Sequence, residues 1–345
     1  MDRARCAAPL RSCGNGEFYL EKRSAGQLGR ARKGSSGARA GFCAESALAQ
    51  RSGQLPMNTA PLSVLDHEPL SEVAGARAFR HFCTPHLSNC RSADHQQLVT
   101  RARFHLRSAR TQRLGTSVGE VQTYVFETKG IATASALLVH GWTGEAAFMS
   151  AFAEYLCRRG IRCVLIDLPA HGQSAGHETN LMDCARVVQD VARSLGPLRF
   201  AIGHSIGGLA LLVAGEGKHP MPGPVTFEAY VLVAIPDRFA DVTRRFGDDH
   251  GLSAPGLRAF ERRLEQLAQR RIADFTGSNF LTAIERPILL LHARDDQEVP
   301  FADAERMAAK VPNVELTALD GLGHRAILYA PPAVRAAAAF LARFP

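Results

Sequence analysis

The sequence predicts an α/β fold, a mostly parallel central sheet with helices on both faces and a short helical insertion. Three observations predict it. From residue 136 onward, short and fully apolar segments alternate with longer amphipathic ones, the rhythm of strands buried on both faces and joined by crossover helices. A chain of 345 residues, 46% of them hydrophobic, is long enough to bury such a core. About fifty residues separate the apolar segments near 230 and 290, more than one crossover needs, which marks an insertion.

Taken in order, Pro61 to about Leu114 reads as helical and amphipathic, with Leu62, Leu65, Val73 and Phe79 apolar and Arg101 to Arg113 a solvated basic stripe. Residues 57–116 are therefore expected to form a helical segment packed on the core, and residues 117–345 the α/β domain. Val118 to Phe126 alternates like a half-buried antiparallel strand. Parallel strands are predicted at Ala136–His140, Arg162–Asp167, Arg199–Gly203, Tyr230–Ala234, Ile288–His292 and Val314–Leu319. Helices are predicted near Ala146–Arg159, Met182–Leu195, Ile206–Gly215, Ala302–Lys310 and Pro332–Arg343. The insertion, about residues 236–284, follows the carboxyl end of a strand, above the usual ligand crevice of such sheets, and is expected to act as a lid.

Charge argues against a nucleic-acid partner once it is located. The chain carries 41 Lys+Arg and 33 Asp+Glu, a formal +8. Residues 1–56 hold ten of the cations against four acids, a net of +6, and the remainder is close to neutral. That leader is rich in Gly, Ser, Ala and Arg with no sustained apolar period, so it is expected to be disordered. It has no apolar stretch of the kind a secretory signal needs. Arg and Ser with few acids also resemble an organelle transit peptide, although Pro9 and repeated glycines spoil any long amphipathic helix, and Met57 is an alternative start. A cytoplasmic location is expected, with organelle targeting by residues 1–56 as the alternative. The longest apolar runs, Ala136–Val139 and Pro287–Leu291, fall far short of the roughly 20 residues of a membrane span. Eight cysteines lack C-x-x-C spacing, and Cys157 and Cys163 read as small buried hydrophobes, so no metal site is expected.

The chemistry concentrates in a few loops. Gly203-His204-Ser205-Ile206-Gly207-Gly208 follows an apolar strand and opens an apolar helix. A serine is a poor nucleophile unless it is held clear of the backbone and beside a base, and a tight strand-to-helix turn provides the first condition. The base is expected on a loop after a later strand. His324, in the Gly-containing loop after the last predicted strand, fits; His140, His171 and His204 lie elsewhere. The orienting carboxylate is expected after the preceding strand, where either Asp295 or Asp296 serves. Backbone N–H groups of Ile206 and of Trp142, in His140-Gly141-Trp142-Thr143-Gly144, are candidates for an oxyanion hole. His140, Gly141, Trp142 and His204 are expected to line the substrate site, with Trp142 walling the acyl pocket.

Together these motifs resemble the α/β-hydrolase superfamily. The resemblance rests on His140-Gly141-Trp142, Asp167-Leu168-Pro169-Ala170-His171-Gly172-Gln173-Ser174, the serine turn, Asp296-Gln297-Glu298-Val299-Pro300 and Gly323-His324, in the family's order over residues 117–345. It assigns the acid to Asp296 through the Asp-x-x-Val-Pro pattern. Ala293 stands where the family often has glycine, a departure that leaves the triad intact. Phe82-Cys83-Thr84-Pro85 also resembles a stretch near the start of small bacterial hydrolases of undefined substrate, which extends the domain back to about Met57.

The resemblance implies an α/β-hydrolase fold and a cofactor-free Ser205–His324–Asp296 mechanism on a small ester-like substrate. Carboxylic-ester hydrolysis is the first expectation, followed by lactone or thioester hydrolysis. Carbon–carbon bond cleavage and perhydrolase chemistry use the same triad. A serine at 205 disfavours the aspartate-nucleophile branches. The competing class is a ligand receptor or regulator that keeps the triad without turnover.

Overall fold

The computed structural model describes residues 67–85 and 93–344, all within the compact unit Ala60–Pro345. The expectations for the leader, the Met57 start, Leu62 and Leu65 lie outside the described residues. Eight strands form one sheet: β1 (Arg110–Gly115), β2 (Glu120–Phe126), β3 (Ala134–Val139), β4 (Ile161–Ile166), β5 (Phe200–His204), β6 (Ala229–Val233), β7 (Ile288–Ala293) and β8 (Val314–Leu319). Their order is β1-β2-β4-β3-β5-β6-β7-β8. β1 and β2 run antiparallel and the rest parallel.

Helices are α1 (His67–Cys83), α2 (Ala93–Leu106), α3 (Ser150–Cys157), α4 (Leu181–Leu195), α5 (Ile206–Glu216), α6 (Phe239–Asp249), α7 (Ala254–Ala268), α8 (Gly277–Ile284), α9 (Phe301–Lys310), α10 (Gly323–Ala326) and α11 (Pro331–Leu341). No helix among the described residues is long and apolar enough to cross a membrane.

The two-residue period of each strand sorts its side chains to two cores. Leu137, Val139, Val164 and Ile166 join α4, α5, α7 and α8 on one face. Ala136, Leu138, Cys163 and Leu165 join α2, α3 and α11 on the other. Because both faces are covered, the central strands have no polar positions to alternate, which is why they read as continuous apolar runs.

Three expectations are corrected. Residues 110–115 are an edge strand, not the end of a helix. The hairpin turn at Thr116 and Gly119 pairs them with β2, and a strand with one neighbour and a mostly wet surface carries no apolar alternation to announce it. Val73 is 60% exposed, so the buried side of α1 is Ala78 together with Phe79 and Phe82. Finally, the insertion is shorter than 236–284. Phe280 and Leu281 bury α8 against α5 and α9, making it the crossover helix before β7, and only α6, α7 and the turn at Ile272–Asp274 remain as the insertion.

The cap so formed is joined by α1, which packs along α7. Gly75 permits this closeness: a Cβ there would stand 2.6 Å from Ala259 Cβ and 2.8 Å from Phe260 N.

Sequence order and sheet order part company around β3. The chain passes from β3 to β4 on one side, then crosses to β5 on the other. This is the switch point at which the loops after β3 and β5 splay apart and leave a crevice. His140–Gly144 and Ser205 leave the sheet there.

Candidate active site

Ser205 sits between β5 and α5 with φ 52° and ψ −125°, a backbone state that costs on the order of 1–3 kcal/mol and needs support from its surroundings. Support comes from Ser205 N–H, which donates to Val233 O at 2.9 Å, and from two glycines that let the turn close. A Cβ on Gly203 would lie 2.6 Å from Gly208 Cα, and one on Gly207 2.1 Å from His140 O. Among the described residues the Ser205 hydroxyl makes no hydrogen bond. The Trp142 and Ile206 N–H groups likewise donate to no described residue. Ile206 follows the serine at the start of α5, and Trp142 follows Gly141 on the β3 loop, where a Cβ would stand 3.0 Å from Ser205 Cβ.

Asp296 and His324 are brought together, although 28 residues apart, because β7 and β8 are neighbours and each is followed by a loop at its carboxyl end. His324 Nδ1–H donates to Asp296 Oδ2 at 2.8 Å. The other carboxylate oxygen accepts the Glu298 and Val299 N–H groups at 2.8 and 2.9 Å. Burial works to raise the Asp296 pKa, but hydrogen bonds from His292, His324 and the Val299 backbone outweigh it and hold the carboxyl well below its usual range. It is therefore an anion at neutral pH, able to fix the imidazole through Nδ1. His324 Nε2 lies 4.0 Å from Glu298 Oε2, whose carboxylate is engaged by Arg325. Asp295 instead accepts the Leu322 N–H at 3.2 Å and so ties down the loop that carries His324.

His140 and His204, expected to line the substrate site, are both engaged with protein partners. His140 is fully buried; its Nδ1–H donates to Gly141 O at 2.7 Å and its Nε2 accepts the Leu168 N–H at 3.0 Å. Burial, aided by nearby His171, lowers its pKa to about 3. His204 is buried, donates through Nε2 to His324 O at 2.9 Å, and stacks obliquely on the His324 ring at 4.6 Å. Burial and the His324 charge it would meet keep it neutral. Its other nitrogen abuts Gly141, where a Cβ would come within 2.7 Å. Both histidines are braces, and Gly141 is the small residue that lets the two loops touch. Trp142 is half-buried and remains beside the crevice, stacked on Phe82 and edge-on to His171.

Several supporting groups had no role assigned to them from the sequence. His171 Nε2 accepts the Thr143 N–H at 3.2 Å while its Nδ1–H donates to Pro169 O at 2.8 Å; burial lowers its pKa to about 4. Asp167 accepts from Ala146 N–H (2.7 Å), Gln173 N–H (2.8 Å) and Tyr124 OH (2.9 Å), tying the loop after β3 to that after β4. Burial still raises its pKa. Glu145 receives both Arg103 nitrogens at 2.5 Å, anchoring the same loop to α2. His292, four residues before Asp296, lies 3.4 Å from its Oδ2 and donates to Val299 O at 2.9 Å. Only its place at the end of β7 could have pointed to it.

The alpha/beta hydrolase family model matches residues 136–338, more than half the chain, from within β3 through β8. The chain belongs to the alpha/beta hydrolase family. The family segment begins after α1 and α2, so both helices lie outside it. A curated relative, a non-heme haloperoxidase from Rhodococcus erythropolis, is 28% identical over an alignment covering 54% of this chain and 83% of the relative. Est1E from Butyrivibrio proteoclasticus shares the fold at 18% identity and a TM-score of 0.53, covering 68% of this chain and 98% of that one. The Pyrococcus furiosus esterase Pf2001 does so at 19% identity and 0.50, covering 68% and 90%.

Proposed function

We propose that this α/β hydrolase cleaves carboxylic esters through a serine-bound acyl-enzyme. The observation that carries the reading is the 2.8 Å bond from His324 Nδ1 to the buried, anionic Asp296, and a serine on a strained strand-to-helix turn supports it. With Nδ1–H committed to Asp296, Nε2 carries the lone pair that takes the Ser205 proton as Oγ attacks the ester carbonyl. The Trp142 and Ile206 N–H groups receive the oxyanion. His324 returns the proton to the departing alcohol, and water activated by the same nitrogen releases the acid. No step needs a metal or an organic cofactor.

The apolar cavity beneath the cap, lined by Phe82, Leu181, Met182, Phe239, Leu264 and Phe275 among others, is about 20 Å³ and too small as it stands for a long acyl chain, so small acyl groups are proposed. The similarity to a haloperoxidase favours a second reading, in which hydrogen peroxide replaces water in deacylation and the acid leaves as a peracid.

The test is turnover of p-nitrophenyl butyrate, with a lactone and a thioester as companions, by the wild type and Ser205→Ala. Steady turnover that drops by on the order of 10⁴-fold or more in the variant is expected. A single slow acylation without release would overturn the reading in favour of a ligand receptor. Peracid formation on adding peroxide, faster than acid release, would favour the second reading.

A further inference from the structure

Phe82-Cys83-Thr84-Pro85 closes α1, outside the family-matched residues 136–338, and the triad makes no use of it. Its backbone is pinned. Thr84 Oγ1–H donates to Arg80 O at 2.7 Å, the Cys83 carbonyl accepts the Thr179 N–H at 2.8 Å, and Pro85 has no N–H with which to extend the helix. Held this way, the Phe82 ring stacks on Trp142 at 6.3 Å between centroids and 19° between planes. It meets Phe239, Phe246 and Phe260 of the cap edge-on at 6.1, 5.0 and 5.2 Å.

Phe82 also lines the apolar cavity beneath the cap, whereas Trp142 and Ser205 do not. Next to Trp142 in the chain, a Cβ at Gly141 would stand 3.0 Å from Ser205 Cβ. The phenyl ring therefore occupies the position between the cavity and the tryptophan that flanks the nucleophile. With Phe82 in place the cavity's roughly 20 Å³ has room for about one water-sized group, too little for an alkyl chain.

We propose that Phe82 determines the acyl-chain length accepted at Ser205. The inference rests on the ester-hydrolase reading above. Its physical content is that removing the ring joins the cavity to the space beside Trp142, and enlarging it narrows that space further. Each methylene newly buried should then add about four-fold to kcat/KM.

The test compares wild type, Phe82→Leu, Phe82→Ala and Phe82→Trp in the full chain, using the ratio of kcat/KM for p-nitrophenyl octanoate over butyrate. The ratio should rise modestly for Leu, rise about ten-fold or more for Ala, and fall several-fold for Trp. Phe82→Leu and Phe82→Trp carry the test if Phe82→Ala does not fold. A packing role alone would lower both rates together and leave the ratio unchanged across the folded variants, and that result would overturn the proposal.

Binding is read separately by calorimetry, with the same two esters titrated into Ser205→Ala and into Ser205→Ala carrying Phe82→Leu or Phe82→Trp. If the wild type turns over no ester but affinity for the octanoate follows side-chain size, the hydrolase reading fails and the pocket assignment stands. Affinities indifferent to residue 82 would reject the assignment whatever the chemistry at Ser205.

Discussion

The nucleophile side of the crevice and the cap side are held together by different forces. On the nucleophile side nearly every functional group is fixed by short, directional, buried hydrogen bonds. Asp296 accepts three, Asp167 accepts three, and His140, His171 and His204 each have a named partner. On the cap side α1, α6 and α7 meet largely through aromatic rings and a close helix contact at Gly75, with a hydrogen bond from Thr243 to Glu261 at 2.6 Å between α6 and α7 and the ion pairs of Glu72 with Arg262 and Arg263 at the rim. Directional bonds in a buried setting tolerate errors of a few tenths of an ångström poorly, which suits groups that must meet a reacting carbonyl. Aromatic packing fixes volume and leaves orientation looser, which suits a surface that selects by size.

The largest expected effect lies on the directional side. Asp296→Asn keeps the shape but offers His324 an amide in place of an anion, and a fall in kcat on the order of 10⁴-fold is expected on p-nitrophenyl butyrate. Asp295→Asn retains an oxygen for the Leu322 N–H and should stay within about ten-fold of wild type. Equal losses would mean that the loop tie matters as much as the charge, and the contrast between the acids would break.

The same division explains what was legible in the sequence. Ser205, His324 and the pair Asp295/Asp296 could be singled out because each lies on a loop immediately after an apolar strand, where the proposed chemistry asks for specific residue types. The choice between the two aspartates could not be made from spacing. It depends on which carboxylate turns inward, and Asp296 does so because its second oxygen takes the Glu298 and Val299 N–H groups. His140 and His204 looked like substrate contacts because polar residues beside a nucleophile usually are. Their burial and bonding come from the approach of two loops 60 residues apart in sequence, which no local pattern encodes. The cap was least legible. The polar edge strand β1 had no alternation, the apolar helix α8 resembled its neighbours in the insertion, and Phe82 acquires its role only when α1 lies against α7.

A smaller effect should appear in stability against pH. His140 and His171 have pKa values near 3 and 4 in the fold, chiefly because burial disfavours their charged forms, against about 6.5 unfolded. As pH falls the unfolded chain takes up these protons first. The stabilisation is therefore complete above about pH 6.5 and is lost on the way down towards pH 4, at up to about 1.4 kcal/mol per pH unit for each histidine. Asp296, whose pKa is depressed, keeps its contribution until the pH is below the usual carboxylate range. Melting temperature should thus fall steadily from pH 7 to pH 4.5, and His140→Gln should flatten part of the slope. A wild-type profile without slope in that window would show that these histidines are not held neutral, and would weaken the picture of a directional, buried brace.

The smallest effect is expected at the rim of the cap. Glu72 on α1 pairs with Arg262 and with Arg263 (2.8 Å) on α7, but all three side chains keep substantial contact with water. Screening and side-chain entropy leave such pairs little net value, so Glu72→Ala should shift Tm by at most about 2 °C and leave kcat/KM within two-fold. Gly75→Val, one turn further along the same helix, must instead push against Ala259 Cβ and Phe260 N, backbone and short side chain with nowhere to yield. It should lower Tm several-fold more than Glu72→Ala and carry Phe82 away from Trp142, widening the acyl preference. If Glu72→Ala proved the more damaging of the two, α1 would be held on α7 by charge, and the cap would share the directional character of the nucleophile side.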